Sequence, residues 1–185
     1  MRNNCCVFTV YTVYCRGKVI QYLTFGGDVM NAQASVFDVA TYILEKSGPM
    51  TTWKLQKLVY YCQAWSLVWD GDQIFDEEIE AWANGPVCRK LYEQHKGQFR
   101  VNNLPIGNAS VLTEDQKETV DVVLRDYGDR SPKWLSDLTH MEDPWRKARK
   151  GIPRGERGES VISKESMAEY YESLDEENAA RLSES

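Results

Sequence analysis

The sequence predicts a mainly α-helical protein: a compact single helical domain with at most a small β element. Apolar residues that recur at spacings of three and four, bracketed by capping residues, predict the helices. Short runs rich in β-branched and aromatic residues predict the extended pieces. The apolar content is 42%, with 6 Trp and 10 Tyr. This composition is that of a folded chain and excludes global disorder.

The first 29 residues differ from the rest of the chain, because they hold three of the five cysteines and their cations outnumber their acids. The runs 6–14 and 19–25 are rich in β-branched and aromatic residues, and Arg-Gly-Lys separates them. This pattern predicts an N-terminal β-hairpin arm. An alternative remains open, in which translation begins at Met30 and the arm is upstream read-through.

Two helices follow. Ser35 with Asp38 three residues later is an N-cap signature, and it predicts a helix over about 36–47 that ends at Gly-Pro. Thr51 or the next threonine caps a second helix over about 53–69. Its apolar residues recur at helical spacing and make it the expected core helix: Leu55, Leu58, Val59, Cys62, Trp65 and Trp69.

The middle of the chain predicts short elements. Residues 74–75 are long enough for a single extended rung, and 81–86 predict an extended piece that enters a tight turn at Gly-Pro. A third helix is expected over about 87–96. The polar stretch 98–112 has no sustained period, so it predicts a loop with at most a short strand.

The last third predicts further helices from their first residues. Thr113 opens a capping box, and Ser131 is followed by a proline at the first helical position. Asp143 and its following proline repeat that device, and Ser163 caps a last helix that contains Leu174. We divide the chain into an arm (1–29), a helical domain (30–174) and an acidic flexible tail (175–185).

Charge and composition exclude several classes of function. The formal net charge is -6 and the sequence pI is near 5.1, which disfavours binding to nucleic acid. No stretch approaches the ~20 apolar residues of a membrane span. Cys62 and Cys88 are the only cysteines beyond the arm and match no disulfide framework, so we expect a reducing, cytoplasmic location.

Catalytic signatures are missing from the sequence. It has no Cys or His pair at a zinc spacing, no glycine-rich nucleotide loop and no Gly-x-Ser-x-Gly, so we expect no metal, no cofactor and no enzyme activity. The best exception is His140 with Glu142 and Asp143, an acid/base cluster. We prefer the interpretation in which Asp143 caps the next helix.

Two surpluses point to binding. Arginines and lysines concentrate between Arg146 and Arg157, where they suit phosphates or an acidic protein surface, although a solvated face is the plain alternative. Tryptophan and tyrosine, which dominate binding hot spots, also exceed the needs of a small core, although most are expected in the core.

Three separated motifs, in order, resemble the Panacea domain family, which includes SocA-like antitoxins and phage-associated GepA-like proteins. They are Trp53 to Trp65, Phe75 to Trp82 with Asn84 to Val87 and Leu91-Tyr92, and Leu138 to Trp145 with Ala148-Arg149. The resemblance covers about 35–174.

The resemblance implies an antitoxin of a toxin-antitoxin system, in a bacterium or prophage, that neutralises a cognate protein toxin by direct binding. The toxin is expected to be encoded by the adjacent gene. The alternatives are a proteolytic adaptor that delivers the toxin to an ATP-dependent protease such as ClpXP, and a small enzyme that uses His140 and Asp143. The family motifs and the basic cluster give the expected partner-binding residues: Trp53, Lys57, Tyr60, Tyr61, Trp82, Gly85, Pro86, Val87, Tyr92, His140, Trp145, Arg146, Arg149 and Arg154.

Overall fold

The fold is taken from a computed structural model that describes residues 9–15, 18–24, 33–153 and 155–183. Backbone contacts divide the chain into two units, residues 1–32 and 33–185. In the first unit, strands β1 (Thr9–Cys15) and β2 (Lys18–Thr24) pair antiparallel from Thr9 opposite Thr24 to Cys15 opposite Lys18. The two runs that predicted a hairpin therefore form one.

The second unit is mainly helical, which confirms the predicted fold class. Its elements follow in the order α1 (Val36–Ser47), β3 (Met50–Thr51), α2 (Thr52–Trp69), β4 (Ile79–Trp82), β5 (Gly85–Cys88), α3 (Arg89–His95), β6 (Arg100–Val101), α4 (Glu114–Tyr127), α5 (Pro132–Met141), α6 (Asp143–Ala148) and α7 (Lys164–Ser183). Across the described ranges, no helix combines the length and the apolar character that a bilayer crossing requires.

The predicted capping residues begin their helices. The Asp38 carboxylate accepts from the Ser35 backbone N–H at 2.8 Å, and Thr113 and Gln116 bond each other's backbone N–H groups at 3.0 and 3.2 Å. The Ser131 hydroxyl accepts from the third residue of α5 at 3.1 Å. Each bond satisfies a backbone donor that the first helical turn leaves open.

Helix α2 forms the centre of the second unit. It packs against α1, α4, α5, α7 and β5, and its residues from Leu55 to Ser66 are buried on all faces. Its buried polar side chains bond the backbone of neighbouring loops. The side-chain oxygen of Gln63 accepts from the backbone N–H groups of Ile74 and Phe75 at 3.2 Å each. These two backbone groups therefore pair with a side chain and not with a strand. Residues 74–75 lie in a loop, and the extended rung predicted there is wrong.

Small antiparallel sheets join the helices. Strands β4 and β5 form a hairpin with Trp82 opposite Gly85, and β3 pairs with β6. The hairpin turn therefore lies at residues 83–84, and the tight turn predicted at Gly-Pro is wrong, because Gly85 and Pro86 already pair with β4 as the first residues of β5. The segment before α7 adds to β4, because the N–H of Ile162 donates to the Ile79 carbonyl at 2.8 Å. Val87 belongs to β5 and pairs with Glu80 of β4. Helix α3 therefore begins at Arg89, later than the sequence predicts.

Two differences lie nearer the C-terminus. The N-cap of α6 is Glu142 rather than Asp143, whose carboxylate instead pairs with cations of α6. Helix α7 continues to Ser183, although the sequence predicted a polar tail from 175 onward. The indole of Trp69 donates to the Asp175 carboxylate at 3.0 Å, and the residues beyond are mostly good helix formers.

Candidate partner-binding site

A groove of about 750 Å³ lies between the N-terminal half of α2, the β4–β5 hairpin and α3. We call it the α2–α3 groove. It brings together five of the residues that the sequence analysis assigned to partner binding: Trp53, Lys57, Trp82, Val87 and Tyr92. The family motifs that contain them are separated in sequence, and the hairpin turn brings them to one place.

Buried hydrogen bonds hold the three elements of the groove together. The side-chain oxygen of Gln56 accepts from the backbone N–H of Cys88 at 2.8 Å, and its side-chain amide donates to the backbone carbonyl of Cys88 at 3.3 Å. The same amide group lies 2.9 Å from Nε2 of His95. Burial lowers the pKa of His95, which favours the neutral ring that can accept this bond. Gln56 therefore links α2 to β5 and to α3.

Lys57 lies in the wall of the groove, and its side chain is almost completely buried. Its Nζ donates to the Pro86 carbonyl at 3.0 Å. Gly85 has φ +108°, and a Cβ placed there would lie 2.5 Å from Cε of Lys57. Gly85, the first residue of β5, therefore leaves room for the lysine. Burial lowers the pKa of Lys57 to about 7.

Trp82 stacks with cations on one side of the groove. The guanidinium groups of Arg89 and Arg157 each lie 5.7 Å from the centre of its ring. Its indole donates to Glu80 at 2.7 Å, and Arg89 donates to both oxygens of the same carboxylate at 2.7 and 2.9 Å. Burial acts to raise the pKa of Glu80, but the bonds from Arg89 and Trp82 outweigh it and lower that pKa.

Two exposed aromatic residues flank the groove. The N–H of Thr52 donates to the Phe99 carbonyl at 3.1 Å, so Trp53 and Phe99 are near neighbours across this bond. Trp53 is 53% exposed and Phe99 is 79% exposed. The sequence analysis missed Phe99, because it lies in a polar stretch without periodicity. Only the pairing of β3 with β6 brings it to α2.

A second depression, of about 460 Å³, contains four more of the predicted residues: His140, Trp145, Arg146 and Arg149. The rings of His140 and Trp145 stack with centres 4.2 Å apart, and the Trp145 indole donates to the Trp82 carbonyl at 2.9 Å. This bond connects the depression to the β4–β5 hairpin.

The arginines of the basic cluster have different environments. Arg149 is 6% exposed, and its guanidinium donates to the carbonyls of Ala81, Pro153 and Glu156 at 2.7 to 3.2 Å. It therefore fixes the loop after α6 against β4. Arg146 is exposed and pairs with a neighbouring carboxylate at 3.4 Å. Arg154 lies outside the described residues.

Tyr60 and Tyr61 are completely buried in the core. The hydroxyl of Tyr61 donates to Glu142 at 3.2 Å, and that of Tyr171 donates to its other oxygen at 2.8 Å. Burial raises the pKa of Glu142 to about 7, although the two hydroxyl bonds oppose this shift. This cluster joins α2, α6 and α7, and it lies apart from the groove lining.

The side chains considered as catalytic candidates lie in different environments. Glu142 faces the core whereas the side chain of Asp143 is 45% exposed, so the two carboxylates of the proposed acid/base cluster have different environments. Burial raises the pKa of the Cys62 thiol, which makes it a poor nucleophile. In the part of the chain that the structure describes, no group of three or more metal-ligating side chains is suited to hold a metal ion.

Comparison with known families gives one finding, which agrees with the resemblance of the motifs. Residues 55–146 match the family model described as Antitoxin SocA-like, Panacea domain. The match runs from α2 to α6 and includes the hairpin and α3. No curated protein and no solved structure matches the chain. On this match, residues 55–146 of the chain belong to the SocA-like antitoxin family of Panacea domains.

Proposed function

We propose that this protein is an antitoxin that binds a cognate protein toxin, the product of the adjacent gene, and blocks it by occlusion. The observation that carries the proposal is the pair of exposed aromatic residues, Trp53 and Phe99, beside the α2–α3 groove. The family match supports an antitoxin role. The proposal includes no chemical step, and the chain acts by binding alone.

Exposed aromatic surface favours a binding role. Leaving a large aromatic side chain in water costs free energy that burial in an interface recovers, and tryptophan is among the residues that dominate protein interfaces. Trp53 begins the first family motif, and its backbone belongs to a helix whose next turns are buried. An anchor on a fixed backbone loses little backbone entropy on binding.

An antitoxin must bind tightly. Nanomolar affinity corresponds to about -12 kcal/mol, and stable interfaces bury roughly 1,600 Å² in total. The groove with its two flanking aromatics provides a concave centre for such an interface. The polar and charged residues around it provide the rim.

The test is binding between the full chain and the product of the neighbouring gene, measured by titration calorimetry. We expect nanomolar affinity and, in cells, recovery of growth when both proteins are expressed. Trp53→Ser and Phe99→Ser should each weaken binding at least tenfold, which is about 1.4 kcal/mol. Trp134→Ser is the matched control, because Trp134 is 42% exposed on α5.

The outcomes separate the parts of the proposal. Absence of both binding and growth recovery would show that the antitoxin function is wrong. Tight binding with equal affinities for all three variants would retain the function and reject the groove. The half-life of the toxin separates occlusion from degradation. It should stay unchanged on co-expression, and a shorter, protease-dependent half-life would favour the adaptor alternative.

A further inference from the structure

We propose that the α2–α3 groove binds an acidic segment of the partner and that Lys57 pairs with one of its carboxylates inside the groove. The inference rests on the proposed function and deepens it, because it states which chemistry of the partner the site recognises. It is carried by the position of Lys57, by the charge of the groove and by the aromatic residues beside it.

The first step is the environment of Lys57. Its ammonium group has three donors, and the structure gives it one acceptor, the Pro86 carbonyl at 3.0 Å. Within the described residues, no carboxylate lies within 4 Å of its Nζ, whereas Arg89 in the same groove has two carboxylate partners. A lysine that is 3% exposed without a counter-ion is costly for the fold. An incoming carboxylate would supply the missing partner.

The second step is the charge of the groove. Among the residues that the structure describes, four cationic side chains and one carboxylate line it, on a chain whose net charge is -6. Arg89 and Arg157 are already paired with Glu159 at 3.1 and 2.8 Å. Of the described cations that line the groove, Lys57 in the wall and exposed Lys96 therefore have capacity for a ligand. This local excess of positive charge complements an acidic segment.

The exposed aromatic rings beside the groove indicate that its occupant is part of a protein. Trp53 and Phe99 are exposed beside the groove, and covering them requires a partner with apolar surface next to its carboxylate. A small anion could pair with Lys57 but would leave both aromatic rings in water. A protein segment that carries an acidic residue beside apolar ones satisfies both features.

The pairing has a consequence for proton binding. A carboxylate next to Lys57 favours its charged form, so the complex should take up a proton at a pH where the free lysine is partly neutral. Other titratable and charged groups also line the groove: Arg89, Tyr92, Glu93, His95, Lys96 and Arg157. The difference between wild type and Lys57→Met therefore isolates the contribution of Lys57.

The experiment uses the full chain with two probes. The first is the neighbouring-gene toxin, titrated at pH 8 in buffers of different ionisation enthalpy. We expect Lys57→Met to weaken binding at least tenfold and to remove proton uptake, while Lys96→Gln weakens binding by a smaller factor. Lys133→Met is the matched control, because the Lys133 side chain is 82% exposed on α5. Thermal unfolding of each variant confirms that it is folded.

The second probe needs no toxin. Pentaglutamate peptide should change the tryptophan fluorescence of the wild type, while pentaglutamine should not, and Lys57→Met should lose the response. Toxin binding that is equal in wild type and Lys57→Met would overturn the inference and leave the antitoxin function intact. Failure of the toxin to bind would reject that function, and the peptide would then decide the inference alone. Equal responses to free glutamate and to the peptide would indicate a small-anion site and also overturn it.

Discussion

The buried carboxyl group of Glu142 predicts an unusual dependence of stability on pH. Its side chain accepts hydrogen bonds from the hydroxyls of Tyr61 and Tyr171, and burial raises its pKa from the ordinary 4.5 to about 7. Between these two values the folded chain retains a proton that the unfolded chain has lost. The contribution of Glu142 to the free energy of unfolding therefore decreases as pH rises from about 4.5 to 7.

The size of the effect follows from the shift. Each pKa unit corresponds to about 1.4 kcal/mol, so the change across this window is on the order of 3 kcal/mol. Glu142→Gln resembles the protonated carboxyl group and keeps an oxygen that accepts the tyrosine hydroxyls. At pH 8 we expect the variant to be more stable than the wild type by about 1–3 kcal/mol. The advantage should shrink toward pH 5.

The assay is urea unfolding of wild type and variant at half-unit steps from pH 5 to pH 8.5. The difference between the two proteins removes opposing contributions, such as that of His95, whose lowered pKa makes the fold more stable as pH rises. Glu45→Gln, at an exposed position on α1, controls for the loss of one negative charge. Its effect should stay within about 0.5 kcal/mol.

Two results would refute the reasoning. A difference between Glu142→Gln and wild type that does not change with pH would show that the carboxyl group does not titrate in this window. A variant that is less stable than wild type at pH 8 would show that the tyrosine hydroxyls stabilise the charged carboxylate more than burial destabilises it.

Three further predictions concern the groove and its supports. Gly85→Ala should cost about 2 kcal/mol in thermal unfolding, because its Cβ would contact Lys57; Gly97→Ala, also at positive φ but with open space around it, should cost less. Arg149→Met should cost about 2–4 kcal/mol in urea unfolding by leaving three carbonyls without their donor, against under about 0.5 for exposed Arg146→Met. Lys57→Met should stabilise the fold by about 1–3 kcal/mol at pH 7 in the same assay, because it removes a buried cation. The stability of the wild type relative to Lys57→Met should also rise from pH 7 to 10, because the unfolded chain holds the proton that folded Lys57 loses. Taking this difference removes the opposite effect of the buried Cys62 and Cys88 thiols, whose pKa values burial raises. Equal costs for each variant and its control, or a less stable Lys57→Met, would contradict these expectations.

Local signals made much of the fold predictable. The caps of α1, α4 and α5 depend on side chains within three residues of the helix start, so Ser35, Thr113 and Ser131 indicate them in the sequence. The Gly-Pro pair correctly indicates that a hairpin lies nearby, but the turn itself is at residues 83–84, because Gly85 and Pro86 already pair with β4. The loop at 74–75 could not be predicted in this way, because its backbone groups are bonded by Gln63 on another element.

The candidate site was only partly predictable for the same reason. Trp53, Trp82 and Tyr92 stand out by residue type, and the structure places all three along one groove. Phe99 has no such signal, since its position beside α2 depends on the pairing of two-residue strands. Lys57 could not be predicted as a buried residue: periodicity places it on the central helix, where a charged side chain is unexpected, and only the structure shows that Gly85 at the start of β5 makes room for it. A buried cation beside exposed aromatic rings costs free energy in the isolated chain. Binding a complementary protein surface can recover that free energy, which connects the fold of this domain to the function proposed for it.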